Sequence, residues 1–261
     1  MRFDLFWVLM GRTAYVFAPL YLIPFAYGFA YGDSLAGSFL ALGVLAAILG
    51  MVFGNMGRSH MRQLSVQEGT FFLLAVWFLL AVLGMLPFHL AGLHLSPADT
   101  FFECISALTT TGMTAFGDAL PPSLLLWRAL MSWFGGLLFI VILVTVLPVV
   151  SGCFGVDFNV RQARLFSPLW NRMTRPMREM TLLYIVITAV AVGIYLAAGD
   201  DIFSALILAL FTIASGAGPM TAGLPPKPLL IFGAGMVALL STLPLLTLRQ
   251  LLHRRAGVLL T

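Results

Sequence analysis

Residues 96–112 read SPADTFFECISALTTTG, and this stretch decides the fold. Ser96, Pro97 and Asp99 make a helix start: a capping hydroxyl, a proline at the first helical position, where no amide donor is needed, and an acid where the helix end is partly positive. The apolar run that follows, residues 100–108, is only about nine residues long, or about 14 Å at 1.5 Å per residue. The hydrocarbon core of a bilayer is roughly 30 Å thick, so this helix cannot cross it. It stops at Thr109-Thr110-Thr111-Gly112, a turn of small hydroxyl side chains and glycine.

Its neighbours are long enough to cross. Apolar runs at about 12–31, 35–53 and 70–87 precede it, and one at about 124–147 follows Pro121-Pro122. The same grammar then recurs: a span at about 181–198, Asp200 and Asp201 opening a short helix over about 202–213, the turn Ala214-Ser215-Gly216-Ala217-Gly218, and a span at about 229–248. A shift of 104 residues superposes Thr111-Gly112 on Ser215-Gly216 and Leu120-Pro121-Pro122 on Leu224-Pro225-Pro226. Gln67-Glu68-Gly69-Thr70 likewise resembles Arg178-Glu179-Met180-Thr181 at the start of each copy. The repeating unit is span, half-helix, turn, span.

Composition agrees. The 261 residues are 61% hydrophobic and 9% charged, with a mean hydropathy of +1.02, against about 25% charged residues in soluble domains. The net charge is +4, but the basic residues do not interleave with aromatics on a polar surface, which argues against nucleic acid. They report topology instead. Of the 14 Lys and Arg residues, 12 (Arg2, Arg12, Arg58, Arg62, Arg161, Arg164, Arg172, Arg175, Arg178, Arg249, Arg254 and Arg255) fall in or beside loops on one side. Only Arg128 and Lys227 fall near the other, with Asp33, Asp99, Asp118, Asp200 and Asp201. The positive-inside rule puts both termini in the cytoplasm. Cys104 and Cys153 then lie on opposite sides, so no disulfide is predicted, and the apolar run after Arg12 is too long for a signal-peptide core, which predicts a retained first helix.

The expectation is an all-α integral membrane protein of the inner membrane, with six transmembrane helices and two re-entrant pore half-helices. Residues 1–62 form two N-terminal spans, 63–150 the first helix-pore-helix unit, 151–180 a basic cytoplasmic linker, and 181–261 the second unit and tail. Non-helical backbone at membrane depth is tolerated only where protein buries it or water lines it. A half-helix turns its partly negative C-terminus towards the membrane interior, which favours a cation, and carbonyls of the following turn can replace the ion's hydration shell.

The run FFECISALTTTG, residues 101–112, followed by LPPSLLLWRALMSWFGG, residues 120–136, resembles the first pore unit of the Trk/Ktr/HKT potassium transporter superfamily, most nearly bacterial TrkH. The likeness extends back through Glu68-Gly69, the Met56-Gly57-Arg58 loop and the two N-terminal spans. In that family, two extra helices precede four such units around one pore. Thr110-Thr111-Gly112 matches its first filter motif, and Ala214-Ser215-Gly216-Ala217 matches its Ser-Thr-Gly-Gly motif loosely. The resemblance implies filter segments at Thr110, Thr111, Gly112 and Met113 and at Ala214, Ser215, Gly216 and Ala217. Potassium would be the transported ion, held by carbonyls of Thr110, Thr111, Gly112, Ser215 and Gly216, with no organic cofactor. The chain matches half of the family's usual length, and two loops cannot ring an ion. A second copy in a homodimer, or a separately encoded second half, is expected to complete the pore. The arginine-rich segment 161–178 would meet anionic lipid or, by the same resemblance, a cytosolic nucleotide-binding regulatory subunit.

Other readings stand beside these. Residues 109–112 could be an ordinary glycine-ended helix terminus, and the side chain of Met113 a packing residue. Glu103 is expected as an outer-vestibule charge near its helix start, and Arg128 as a tie to Asp118 or Glu103. Gly135, Gly136, Gly233 and Gly235 are either close helix contacts or gating points. A non-conducting or regulatory subunit is the alternative function. An intramembrane hydrolase built on Ser215 or Asp200 is disfavoured, because none of His60, His89, His94 and His253 falls in a predicted span to serve as base.

Overall fold

A computed structural model describes residues 4–57, 66–92, 96–115, 120–151, 169–215 and 235, and every regular element among them is helical. The first apolar segment is shaped by proline. Helix α1 (Asp4–Phe17) passes through a 3-10 turn at Ala18–Tyr21 into α2 (Leu22–Tyr31). Pro19 sits in the first turn of that tighter segment, which takes up the hydrogen bond that proline cannot donate. Then come α3 (Ala36–Met56), α4 (Val66–Leu90), the short α5 (Pro97–Leu108), α6 (Pro122–Ser151), α7 (Leu169–Ala197) and α8 (Ile202–Ser215). Five of these segments are long and apolar enough to cross a membrane: Leu5–Tyr31, Ala36–Met56, Phe71–Leu90, Pro122–Ile142 and Arg178–Ala197. The chain is a multi-span, all-α membrane protein.

Two compact units divide the chain, Met1–Ser132 and Trp133–Thr261, with the boundary inside α6. In the first, α1 crosses α3 at glycines: a methyl group added to Gly11 would overlap the backbone of Gly50 and Gly54, the close approach that small residues permit in membranes. Trp127 of α6 stacks on Tyr21 at 4.3 Å between ring centroids and meets the edges of Phe17 and Phe39. Both polar tips of that cluster end on carbonyls of α4. The Tyr21 hydroxyl donates to Leu83 at 2.8 Å and the Trp127 indole N–H to Gly84 at 2.9 Å, so neither donor is left unsatisfied away from water. Asp33, in the turn between α2 and α3, accepts from the hydroxyl of Ser123 at the start of α6.

In the second unit, Tyr184, Ala191 and Tyr195 of α7 pack with Ala205, Ala209 and Ile213 of α8. The Trp133 indole donates to Thr188 Oγ1 at 2.9 Å, and the Tyr195 and Thr212 hydroxyls pair at 2.8 Å.

Several boundaries differ from the sequence expectation. The first span begins at Leu5 rather than Arg12, because apolar residues on either side of the arginine keep the helix going. Helix α4 starts before Thr70 and continues through Pro87 to Leu90; a proline close to a helix end forfeits little. His89 therefore lies inside a spanning helix, contrary to the expectation that no histidine does. Helix α7 starts at Leu169, so the end of the arginine-rich stretch is helical and continuous with the span beginning at Arg178. The predicted span at 229–248 lies outside the described residues except for Gly235, which is helical.

Candidate functional site

The short helix starts as its sequence requires. The Ser96 hydroxyl accepts from the Asp99 amide at 3.1 Å, and Pro97 follows at the first helical position. Its end is less ordinary. Thr109 is the C-cap, the Thr110 amide donates to the Ala107 carbonyl at 3.0 Å, and the Thr111 amide donates to Ser106 at 2.9 Å. That pair of bonds is the Schellman closure, in which the residue after the C-cap is left-handed and usually glycine. Here it is Thr110, at φ 57°, the one non-glycine residue with positive φ among those described. A β-branched residue in this region is a true outlier. Gly112, at φ 77°, lies two residues beyond the closed helix end. The Gly112 amide also reaches back to the Ser106 carbonyl, at 3.4 Å, so that carbonyl accepts from two successive residues of the turn.

The sequence thus turns left-handed at 110 and again at 112, with residues 109 and 111 on the ordinary side. Alternating handedness swings successive peptide groups towards a common side, where an extended strand sends them to opposite sides. The Thr109 and Thr111 hydroxyls pair at 2.8 Å. Met113 differs from its three predecessors, because its carbonyl accepts from the buried Ser106 hydroxyl at 2.7 Å and from Arg128 Nη2 at 3.4 Å.

Glu103 corrects the expectation of a vestibule charge. It is fully buried, ion-paired with Arg128 of α6, and its Oε2 accepts from the Ala115 amide at 2.8 Å and the Thr114 hydroxyl at 3.2 Å. The α5 register puts it on the packed side with Thr100, Cys104 and Ala107, where a carboxylate persists only if paired and hydrogen-bonded. The tie between Arg128 and Glu103 was legible in the sequence; the parts played by Ser106 and Ala115 were not. Cys104 is buried and free, and the Ser132 hydroxyl donates to the Ala107 carbonyl at 3.1 Å.

In the second copy, Asp201 accepts at the helix start, from the amides of Phe203 at 3.1 Å and Ser204 at 3.2 Å. Ala214 and Ser215 remain helical, whereas their counterparts at the 104-residue shift, Thr110 and Thr111, lie beyond the end of α5. Gly216, Ala217 and Gly233 lie outside the described residues. Gly136 is a close contact: a methyl group there would stand 2.7 Å from Tyr184 Oη and 3.5 Å from Ala214 Cα. Gly135 is buried beside it, and a methyl group added to Gly235 would meet nothing among the described residues.

The sequence profile of the family described as "TrkH: Cation transport protein" matches residues 38–217. The chain is 30% identical over 224 residues to the Trk system potassium uptake protein TrkH of Escherichia coli strain K12, covering 83% of this chain and 46% of that protein. It is 29% identical over 162 residues to the Trk system potassium uptake protein TrkG of the same strain, covering 59% and 33%. The crystal structure of the potassium transporter TrkH from Vibrio parahaemolyticus superposes with a TM-score of 0.77 at 26% identity, over 91% of this chain and 49% of that one. The chain therefore spans about half the length of the curated relatives it matches.

Proposed function

Because the chain belongs to the TrkH family of cation transport proteins, which is not a family of enzymes, we propose that it passes potassium across the inner membrane through a pore lined by main-chain carbonyls. The observation that carries this reading is the turn that ends α5, in which two residues, Thr110 and Gly112, are left-handed one position apart. The carbonyls of Thr110, Thr111 and Gly112 supply the first half of the filter, and those of Ser215 and Gly216 the second. In this reading six spans flank two re-entrant half-helices, α5 and α8, and both termini are cytoplasmic, as the grouping of 12 of the 14 Lys and Arg residues on one side supports. Potassium is the ion named for the relatives, and glycine at position 112 fits a turn that dehydrates a monovalent cation.

Two such turns are too few to surround an ion. A homodimer with a two-fold axis along the pore supplies four, as does pairing with a separately encoded second half. Rubidium uptake into proteoliposomes tests conduction, and mass measurement in mild detergent tests assembly. Uptake by a dimer supports the reading; uptake by a strict monomer overturns the shared pore. A second reading, a non-conducting or regulatory subunit, rests on the loose match of Ala214-Ser215-Gly216-Ala217 to the family's Ser-Thr-Gly-Gly motif. That reading prevails if neither the chain alone nor the chain with a second half moves rubidium or potassium.

A further inference from the structure

We infer that Glu103 and Arg128 are a positioning pair that fixes the segment leaving the Thr110–Gly112 turn and thereby sets which cation the turn accepts, although neither side chain touches the ion. The consequence for ions rests on the filter reading above; the tie itself rests on geometry. Glu103 comes from the short helix α5 and Arg128 from α6, and together they engage three consecutive residues of the non-helical segment between those helices. Glu103 Oε2 accepts from the Ala115 amide at 2.8 Å and the Thr114 hydroxyl at 3.2 Å, while Arg128 Nη2 donates to the Met113 carbonyl at 3.4 Å. The ion pair between Glu103 Oε1 and Arg128 Nε locks the two arms together, and the Ser106 hydroxyl holds the Met113 carbonyl from its other side at 2.7 Å.

The chemistry explains why an acid and an arginine are needed here. A hydrogen bond from an amide to a carboxylate is roughly twice as strong as one to a neutral acceptor, so an ionised side chain grips a loop that has no ladder of its own. An unpaired carboxylate at this depth would itself attract cations; Arg128 neutralises it, leaving selection to the turn. One oxygen of Glu103 lies against the Arg128 guanidinium, and the other accepts from the Ala115 N–H. Glutamine has the same shape but offers one oxygen and one NH2, so Glu103→Gln must set donor against donor on one side. Discrimination between cations of slightly different radius depends on where the carbonyls stand, so a loosened anchor one to three residues beyond Gly112 reads out as altered preference.

The test uses the full chain in its assembled state. Sodium and rubidium uptake are measured in proteoliposomes, and exchange of the Ala115 amide is followed in parallel. Glu103→Gln is expected to raise the sodium-to-rubidium ratio by about tenfold with assembly intact, and Arg128→Lys, which keeps the charge but loses the fork, by less. Tyr21→Phe, which removes a buried hydrogen bond of the same unit away from residues 113–115, is expected to lower thermal stability and leave the ratio alone. Exchange at Ala115 is expected to be about tenfold faster in Glu103→Gln than in the unaltered chain. An unchanged exchange rate overturns the tie whatever the flux shows. An unchanged ratio in an assembled, conducting Glu103→Gln overturns its role in selection. Unaltered protein that moves no ion removes the filter reading and the selection role with it, while the exchange measurement still decides the tie.

Discussion

Thr110 and Gly199 hold the same place in the same kind of helix end, Thr110 at φ 57° after α5 and Gly199 at φ 92° after α7. Each follows a C-cap and donates its amide three residues back, to Ala107 at 3.0 Å and to Leu196 at 3.0 Å; the next amide donates five residues back, to Ser106 at 2.9 Å and to Tyr195 at 3.2 Å. Gly32 and Gly92 are also left-handed beyond helix ends. Among the described residues, glycine holds three such positions and a β-branched residue the one that opens the candidate filter. Left-handed backbone at a non-glycine residue costs of order 1–3 kcal/mol and persists where surrounding structure over-determines it.

Thr110→Gly removes that strain and should stabilise the protein by about 1 kcal/mol, seen as a higher unfolding temperature in detergent. The same change frees a turn that the branched side chain holds, so rubidium selectivity over sodium should fall. A variant that is less stable than the unaltered chain would show that the left-handed threonine is not strained.

Ser106→Ala deletes the hydroxyl that holds the Met113 carbonyl at 2.7 Å. The loss of one such buried bond should cost about 1 kcal/mol. Because the bond ties the last turn of α5 to the residue after Gly112, flux should change by more than the small stability loss suggests. Flux equal to that of the unaltered chain would make Ser106 a packing residue only.

Gly136 separates helix contact from hinge by a double substitution. Gly136→Ala pushes a methyl group against Tyr184 Oη, 2.7 Å away, and should destabilise by about 1–3 kcal/mol as overpacking does. Tyr184→Phe alone loses the bond to the Trp133 carbonyl at 3.2 Å, for about 1 kcal/mol. Combined, the two should cost less than their sum, since the second removes the atom that the first collides with. Strict additivity would show that Gly136 and Tyr184 do not press on one another.

How much of this was legible in the sequence follows from the range of each interaction. The cap of α5 is written in four adjacent residues, Ser96 to Asp99, and local signals of that kind survive folding unchanged. The five described spans were legible because about twenty apolar residues in a row have few alternatives; their ends were not, because a helix runs past a single Arg12 or Pro87 when its flanks remain apolar. The burial of Glu103 was hidden, since near a helix start its depth depends on what α6 brings against it. The left-handed Thr110 was hidden for a different reason: propensity assigns that geometry to Gly112, and only the closing bonds to Ala107 and Ser106 show that the helix ends two residues sooner.

Asp201 gives a pH test at an exposed site outside the spans. The Ser204 side chain first, then the Ser204 amide, hold its carboxyl below the usual aspartate range; burial opposes them, and the Phe203 amide adds a lesser lowering effect. A folded value below the unfolded one means stability that is present above the ordinary aspartate value of about 3.9 and is lost as pH falls through the lowered folded value. Asp201→Ala should therefore cost about 1 kcal/mol at pH 7, as lost N-caps do, and the gap should narrow as the pH is lowered below about 4. Thermal unfolding of both proteins from pH 7 to 3 measures it. A gap that holds constant to the lowest pH would mean that the ionised carboxylate is not the capping form.

Gly112→Ser separates backbone strain from ion selection when it is compared with Gly199→Ser. Both place a side chain on left-handed backbone, at φ 77° and 92°, and each should cost about 1–2 kcal/mol. Gly199 ends a helix by an ordinary closure, so its variant should lose stability and keep the same preference for rubidium over sodium. Gly112 is the second left-handed residue of its turn, after Thr110, and its carbonyl belongs to the candidate filter. Its variant should assemble normally and either lose flux or change preference. Equal ion preference in the two variants would remove Gly112 from the filter and leave it a turn residue like Gly199.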